Sequence, residues 1–334
     1  MKILIDAMGG DNAPKCVIEG ALHAISQEDD FNIILVGKQE VLSEMLSKYS
    51  YDSERIEILP ASEVVEMCDT PTDAIRKKTD SSMVVGLNAL VEGKGDIFIS
   101  AGNTGALVAG STLLVKRMPG IKRPPIATQL PTRTGSVLLL DAGANADCKP
   151  AYLEQFALMG SIYMNKVVGV ENPRVGLVNN GAEEEKGSLL TKEAYQHLKA
   201  LPINFVGNAE GRELIGGDFD VIVTDGFTGN IILKFLEGTA SLIISELKKA
   251  IMGSAKSKFG GLFIKDSLRA FKKKFDYTEY GGALLLGLKK GVIKAHGSSD
   301  AKAISSAVLV ARKFVFSQVV EEIQTEIAKL GDRA

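Results

Sequence analysis

Histidine and cysteine are scarce in this 334-residue chain, with three of each. His23, His197 and His296 are too few and too scattered for a His-rich metal centre. Cys16, Cys68 and Cys148 form no CxxC pair, so neither a zinc site nor a disulfide frame is expected. They read as small buried hydrophobes or free thiols in a reducing cytoplasm. No run approaches the ~18 apolar residues of a spanning helix. The opening run Lys2–Ile5 is cut off by Asp6 and is too short for the core of a leader. A soluble protein is expected, one still able to lie on a membrane surface. Neither sign of charge dominates: 39 Lys+Arg stand against 41 Asp+Glu, a net charge of −2. Nothing global therefore points to nucleic acid.

Several signatures are missing as well. There is no GxxxxGK[ST] loop, which argues against a nucleotide triphosphatase, and no strict GxGxxG, which leaves a dinucleotide site weakly supported. There is no GxSxG elbow and no cysteine in a nucleophile motif, so covalent catalysis has no obvious carrier.

What remains is an ordinary globular composition, 45% hydrophobic and 24% charged. Strand-like runs alternate with helical patterns almost throughout. Lys2–Ala7, Asn32–Val36, Arg55–Leu59, Asp96–Ser100, Val137–Leu140, Val175–Val178 and Val221–Thr224 read as strands. Helices are expected over Pro14–Ser26, Thr72–Val91, after Gly105 to about Val115, from about Pro150, and over Leu189–Leu198. The alternation predicts an α/β fold, a mostly parallel sheet covered on both faces. No Pro/Ser-rich linker divides it, so 1–334 reads as a single domain with an excursion at about 230–276.

The stretch Tyr280–Asp300, YGGALLLGLKKGVIKAHGSSD, organises the rest. A Gly-rich turn is followed by two apolar runs, and His296-Gly297-Ser298-Ser299-Asp300 then leads into a helix starting near Ala301. A strand, a small polar turn and a helix start offer backbone N–H groups to an anion, phosphate above all. Lys294 and His296 add cationic or proton-bearing groups beside it. The same turn also suits simple helix capping. Comparable turns follow the other strands: Asp6/Gly9/Gly10/Asp11, Gly102/Asn103/Thr104/Gly105, Asp141/Gly143/Asn145, Asn179/Asn180/Gly181 and Asp225/Gly226/Thr228/Gly229/Asn230. In open α/β sheets ligands bind beyond the strands' C-terminal ends. One rim carrying all these turns is therefore expected to form a cleft of backbone donors.

Taken in order, DAMGGD at 6–11, SAGNTGA at 100–106, DAGAN at 141–145, TDGFTGN at 224–230, YGGALLLG at 280–287 and KAHGSSD at 294–300 resemble the PlsX family of phosphate acyltransferases. The acidic segment 180–187 fits with variation. The resemblance implies a three-layer Rossmann-like fold akin to isopropylmalate dehydrogenase and phosphotransacetylase. It implies a homodimer that transfers an acyl group from acyl carrier protein to phosphate, with no cofactor. The acyl phosphate would pass to a membrane glycerol-3-phosphate acyltransferase.

Inorganic phosphate is already largely dianionic at neutral pH, its second pKa being about 6 to 7. A strong base is unnecessary; the enzyme has to hold one anion and stabilise another on the thioester oxygen. The catalytic candidates are His296, Lys294, Asn230 and Asn103. Gly9, Gly10, Asp11, Gly102, Thr104, Gly105, Asp141, Asn145, Asp225, Gly226, Thr228, Gly229, Gly297, Ser298 and Ser299 are candidates for phosphate or substrate contact. His23 and His197 read as structural. A nucleotide-dependent oxidoreductase of related fold is the competing reading; it needs an adenine or ribose site and a carboxylate cluster, and neither is convincing here.

The excursion reads as a projecting helical hairpin that packs on its copy. Lys256–Phe275, KSKFGGLFIKDSLRAFKKKF, carries seven basic residues against Asp266 alone. Phe259-Gly260-Gly261-Leu262-Phe263-Ile264 reads as a loop tip, with Phe259, Leu262 and Phe263 as membrane contacts on an anionic surface. A cytoplasmic protein peripherally associated with the inner face of the cell membrane is expected.

Overall fold

In a computed structural model, residues 1–274 and 281–331 are described. Tyr280 of the Gly-rich turn and Phe275 of the basic segment lie outside them. Eleven strands form one sheet: β1 Lys2–Asp6, β2 Asn32–Gly37, β3 Ile56–Pro60, β4 Ile97–Ser100, β5 Ile126–Pro131, β6 Ser136–Leu140, β7 Arg174–Asn179, β8 Asn204–Glu210, β9 Val221–Val223, β10 Ala283–Leu285 and β11 Gly291–Lys294. Their order is β3-β2-β1-β4-β11-β10-β5-β6-β9-β7-β8.

Seven of the pairings are parallel: β1 with β2 and β4, β4 with β11, β2 with β3, β6 with β9, and β7 with β8 and β9. The three antiparallel ones, β11–β10, β10–β5 and β5–β6, lie together in the middle. Three reversals leave β3-β2-β1-β4-β11 running one way and β6-β9-β7-β8 the other. The expectation of a single rim is thereby corrected. Turns after β1, β4 and β11 leave the sheet in one direction; those after β6, β7 and β9 leave in the opposite one. Sequence periodicity reports burial, not the direction in which a strand is inserted.

Buried residues alternate between two cores, as a pleated strand requires. Ile3 and Ile5 of β1 face one; Leu4 faces the other. The helices are α1 Lys15–Gln27, α2 Gln39–Leu46, α3 Pro71–Lys77, α4 Ser82–Val91, α5 Thr104–Gly110, α6 Pro150–Tyr163, α7 Leu189–Lys199, α8 Gly226–Met252, α9 Ala255–Phe263, α10 Lys265–Lys274, α11 Ala301–Phe316 and α12 Val319–Gly331. Apolar residues of α1, α6, α7 and α11 fill the first core, and those of α4 and α5 the second. The single helix expected over Thr72–Val91 is two, because Ser81 caps α4 through Val84 N–H and ends the first segment. The strand β5 had no counterpart among the expected strands.

α8 spans 27 residues, about 40 Å at 1.5 Å per residue. Only Gly226 and Gly229 of it are buried. By length and composition alone it is apolar enough to cross a membrane, contrary to the expectation that no run approaches that length. The expected loop tip at 259–264 is mostly helix α9: Ser254 accepts from Ser257 N–H to start it. Gly261 lets it lie close on α8, for a Cβ there would stand 2.6 Å from Ile251 Cγ2. Phe259 and Phe263 stack edge to face and stay 64% and 78% exposed.

Candidate active site

β1, β4 and β11 are neighbours, so their C-terminal turns stand side by side. Asp6 is buried at the junction and accepts from Met8 N–H at 3.2 Å, Gly9 N–H at 3.1 Å and Ser100 Oγ at 2.7 Å. Ser100 Oγ in turn accepts from Gly102 N–H at 3.1 Å. Asp11 N–H donates to Gly297 O at 2.8 Å, and Asn12 Nδ2 donates to Ser298 O and Ser299 O. Three turns distant in sequence thus become one cradle. Gly9 cannot be larger: a Cβ would stand 2.5 Å from Asp6 Oδ2 and 2.8 Å from Gly102 N. Gly10 has φ +103° and touches Ala101 and Gly297, so it too needs the freedom of glycine. Ser100 was not among the expected site residues, although it opens the SAGNTGA motif.

Lys294 ends β11, 9% exposed, with two of its three N–H groups on Ala101 O and Ala295 O. Burial, aided by the charge of Lys234, pulls its pKa down to about 8, against the attraction of Asp6 and Asp11. His296 keeps accessible surface at the cleft mouth, yet desolvation by the walls and the charges of Lys234 and Lys294 push it below the usual imidazole range. Ser298 N–H donates to its Nδ1 at 3.2 Å, with Ser298 Oγ at 2.8 Å. A neutral ring that accepts at Nδ1 carries its proton on Nε2. Asp300 caps α11 through Ala303 N–H at 2.9 Å. The positive end of α11 already faces a carboxylate, so the anion-binding expectation narrows to the 296–299 turn and its neighbours.

The second set of turns is built differently. Asp141 is fully buried and accepts five hydrogen bonds, from Ile126, Gly143, Ala144 and Asn145 N–H and from Asn145 Nδ2. Burial pushes its carboxyl above the usual range against the pull of these donors. Asn145 spends its amide on Asp141 and on Pro124 O. Asp225 caps α8, accepting from Thr228 N–H and Oγ1, both at 2.8 Å. Gly226 and Gly229 press α8 onto this loop: Cβ atoms would meet Asn145 N at 2.8 Å and Asp141 O at 1.9 Å. These residues anchor the start of α8.

Asn103 is likewise occupied. Its Oδ1 caps α5 through Ala106 N–H, and its Nδ2 gathers the carbonyls of Glu66, Met67 and Asp69. Gly105 lets α5 meet Pro71, 2.6 Å from a Cβ there. Among the described residues the amide of Asn230 has no such partners; it is exposed and lines the cleft. Of the three expected amides, Asn230 alone faces the site with its hydrogen bonds unspent. His197 pairs with Glu154 at 3.2 Å, as a structural residue should.

α8 carries the second set toward the first. Its inner face and the 294–300 turn wall one cleft of ≈950 Å³. Asp11, Thr104, Asn230, Lys234, Lys294 and His296 are among its polar lining residues. Ile126, Leu130, Leu233, Leu236 and Ile244 are among its apolar ones. Lys234, paired with Glu237 at 2.8 Å, was not anticipated; its place one turn after Asn230 on α8 was the available signal. Among the described residues no three His, Cys, Asp or Glu side chains converge to hold a metal ion.

A family model described as fatty acid synthesis protein matches residues 1–322. A phosphate acyltransferase of Alkaliphilus oremlandii is 54% identical over 332 residues, 99% of both chains. Another, from Clostridioides difficile, is 52% identical over 333 residues, 99% of this chain and 98% of that one. Among solved structures, a phosphotransacetylase from Streptococcus pyogenes matches with TM-score 0.63 at 17% identity, covering 95% of this chain and 94% of that one. A branched-chain phosphotransacylase from Enterococcus faecalis matches with TM-score 0.58 at 15% identity, covering 94% and 99%. At these identities the two structures speak for the fold, which is the phosphotransacetylase-like one expected.

Proposed function

The chain belongs to the fatty acid synthesis protein family, the PlsX phosphate acyltransferases, and from that premise we propose that it moves a fatty acyl group from acyl-(acyl carrier protein) to inorganic phosphate in one ternary complex. The observation that carries this reading is one cleft with both polar and apolar lining. It offers Lys294, the Nε2–H of His296 and the cradle of turns to a dianion. It also offers apolar side chains of α8 and β5 to an acyl chain.

The chemistry follows from those groups. A phosphate oxygen attacks the thioester carbon, the C–S bond breaks, and the phosphate proton ends on sulfur as free thiol. Lys294 and His296 hold the dianion, and the Asn230 amide is aimed where the carbonyl oxygen gains charge. A lost oxyanion donor costs roughly 3 to 4 kcal/mol of barrier. The test is thiol release from acyl carrier thioester by purified protein without added NAD or metal. Release that depends on phosphate is expected; release that ignores phosphate sinks the reading.

The outer face of α8 supports a homodimer. Phe227, Ile231, Phe235, Leu242 and Ile243 are exposed along it, Phe235 by 74%. A second copy is the partner that covers such a helix. α9 and α10, with exposed Phe259, Phe263 and Phe271 among basic residues, suit an anionic membrane surface. Acyl phosphate released there is delivered beside a membrane glycerol-3-phosphate acyltransferase. In this reading the protein works in the cytoplasm, against the inner face of the cell membrane.

A further inference from the structure

We propose that a basic groove between the end of the Ser111–Val115 π turn and the start of β5 is where a small acidic thioester carrier protein docks; the inference rests on the acyl-transfer reading above.

Lys116, Arg117, Lys122, Arg123, Lys289 and Lys290 are gathered there. Lys289 N–H donates to Lys116 O at 3.0 Å, Arg117 bridges to Leu288, and Arg117 Nη1 donates to Lys122 O. All six side chains are exposed, and none joins an ion pair among the described residues. Elsewhere cations of this chain commonly sit beside a carboxylate, as Lys94, Lys166, Arg174 and Arg312 do. The chain as a whole is acidic by two charges, so this local excess does not follow from composition.

The groove is concave, ≈520 Å³, and it is built to keep its shape. Arg117, Lys122 and Arg123 line it, with Thr112 and Tyr152 on its wall. Gln155, buried beneath, donates to Gly120 O at 2.9 Å and accepts from Lys122 N–H at 2.8 Å. One side chain thus fixes the backbone on both sides of Ile121 before a partner arrives, which lowers the ordering cost of binding.

Its position suits delivery into the cleft. Ile126 lines the cleft three residues after Arg123, a strand distance of about 10 Å. A carrier seated on the cations would hold its thioester arm within that reach of the cleft. An anionic bilayer is the poorer fit, since the surface is concave and exposed Phe227, Phe235, Phe259, Phe263 and Phe271 lie on α8 to α10 instead. Unpaired cations also attract an acidic partner from a distance and align it.

The experiment is steady-state kinetics on the full chain with two donors, acyl carrier protein thioester and the uncharged N-acetylcysteamine thioester. Arg123→Glu with Lys290→Glu is expected to raise KM for the carrier-bound donor about tenfold or more. Its turnover of the small thioester and its melting temperature should match wild type. In wild type, added salt should raise KM for the carrier-bound donor and leave the small thioester unaffected; this arm decides the matter even if the variant folds poorly. An unchanged carrier KM in the variant, or a salt-insensitive one in wild type, overturns the docking site. Loss of anionic-vesicle binding with carrier KM unchanged overturns it in favour of a lipid surface. Wild type that releases no thiol from either donor in phosphate overturns the acyl-transfer reading itself.

Discussion

His296 combines a mouth position, a neutral ring and a defined tautomer. His296→Ala is therefore expected to lower turnover about a hundredfold while leaving the melting curve in place. Near-normal turnover at saturating phosphate would remove it from the mechanism. The two amides Asn230 and Asn103 should part company. Asn230→Ala should lower kcat by about 10² to 10³ with no loss of stability. Asn103→Ala orphans three loop carbonyls and a helix cap, and should lower stability by roughly 1 to 3 kcal/mol. Equal melting temperatures for the two variants would contradict this division. Lys294 gives a pH signature. Its native pKa of about 8 lies below the ordinary 10.5, so the cation is present below pH 8 and lost above it. Hence kcat/KM for phosphate should fall as pH rises through about 8, and Lys294→Met should remove that limb. Stability runs the other way. The native state binds the proton less tightly than the unfolded chain, so burying the cation costs stability below pH 8, and stability rises with pH between about 8 and 10.5. The melting temperature of Lys294→Met at pH 7 should accordingly be no lower than wild type. Cys148 is no nucleophile, because burial and neighbouring acids raise its thiol to about 12. Cys148→Ser should retain turnover, and trapping a denaturation-stable acyl-enzyme would show that a covalent step exists after all.

At the scale of elements, α8 depends on two glycines. Gly229→Ala places a methyl 1.9 Å from Asp141 O, and should cost about 1 to 3 kcal/mol in thermal or denaturant unfolding. A variant as stable as wild type would mean that the helix start shifts freely. Phe259→Asp with Phe263→Asp should leave the protein in the supernatant of an anionic-liposome spin while preserving activity on soluble donors. Wild type that ignores such liposomes at low salt would assign α9 to a protein interface. Most elements were legible because buried parallel strands are near-continuous apolar runs, as in β1, β2, β4 and β6. β5 was not: IATQLP mixes polar residues and ends in proline, and its place is set by antiparallel partners far away in sequence. The α3–α4 break was legible in principle from Ser81, but apolar spacing on both sides masked it. The turns were found because Gly, Asn and Asp mark them. Their roles were not, since Asn103, Asn145 and Asn230 look alike until hydrogen bonds show which amide is already spent.

For the whole molecule the first expectation is assembly: the exposed apolar length of α8 predicts a dimeric mass in solution at micromolar concentration, and a monomeric mass there would contradict it. The sheet has a second whole-molecule consequence, one of timing. β10 and β11, residues 283–294, are the last strands in sequence, yet they sit at the centre of the order, between β4 and β5. A nascent chain leaving the ribosome has both outer blocks of the sheet long before it has the piece that joins them. Until about 295 residues have emerged, β4 and β5 present unpaired edges. The chain must then wait, with two half-sheets exposed, for its own C-terminal sixth, and this interval is when chaperone binding or misassembly would compete with folding.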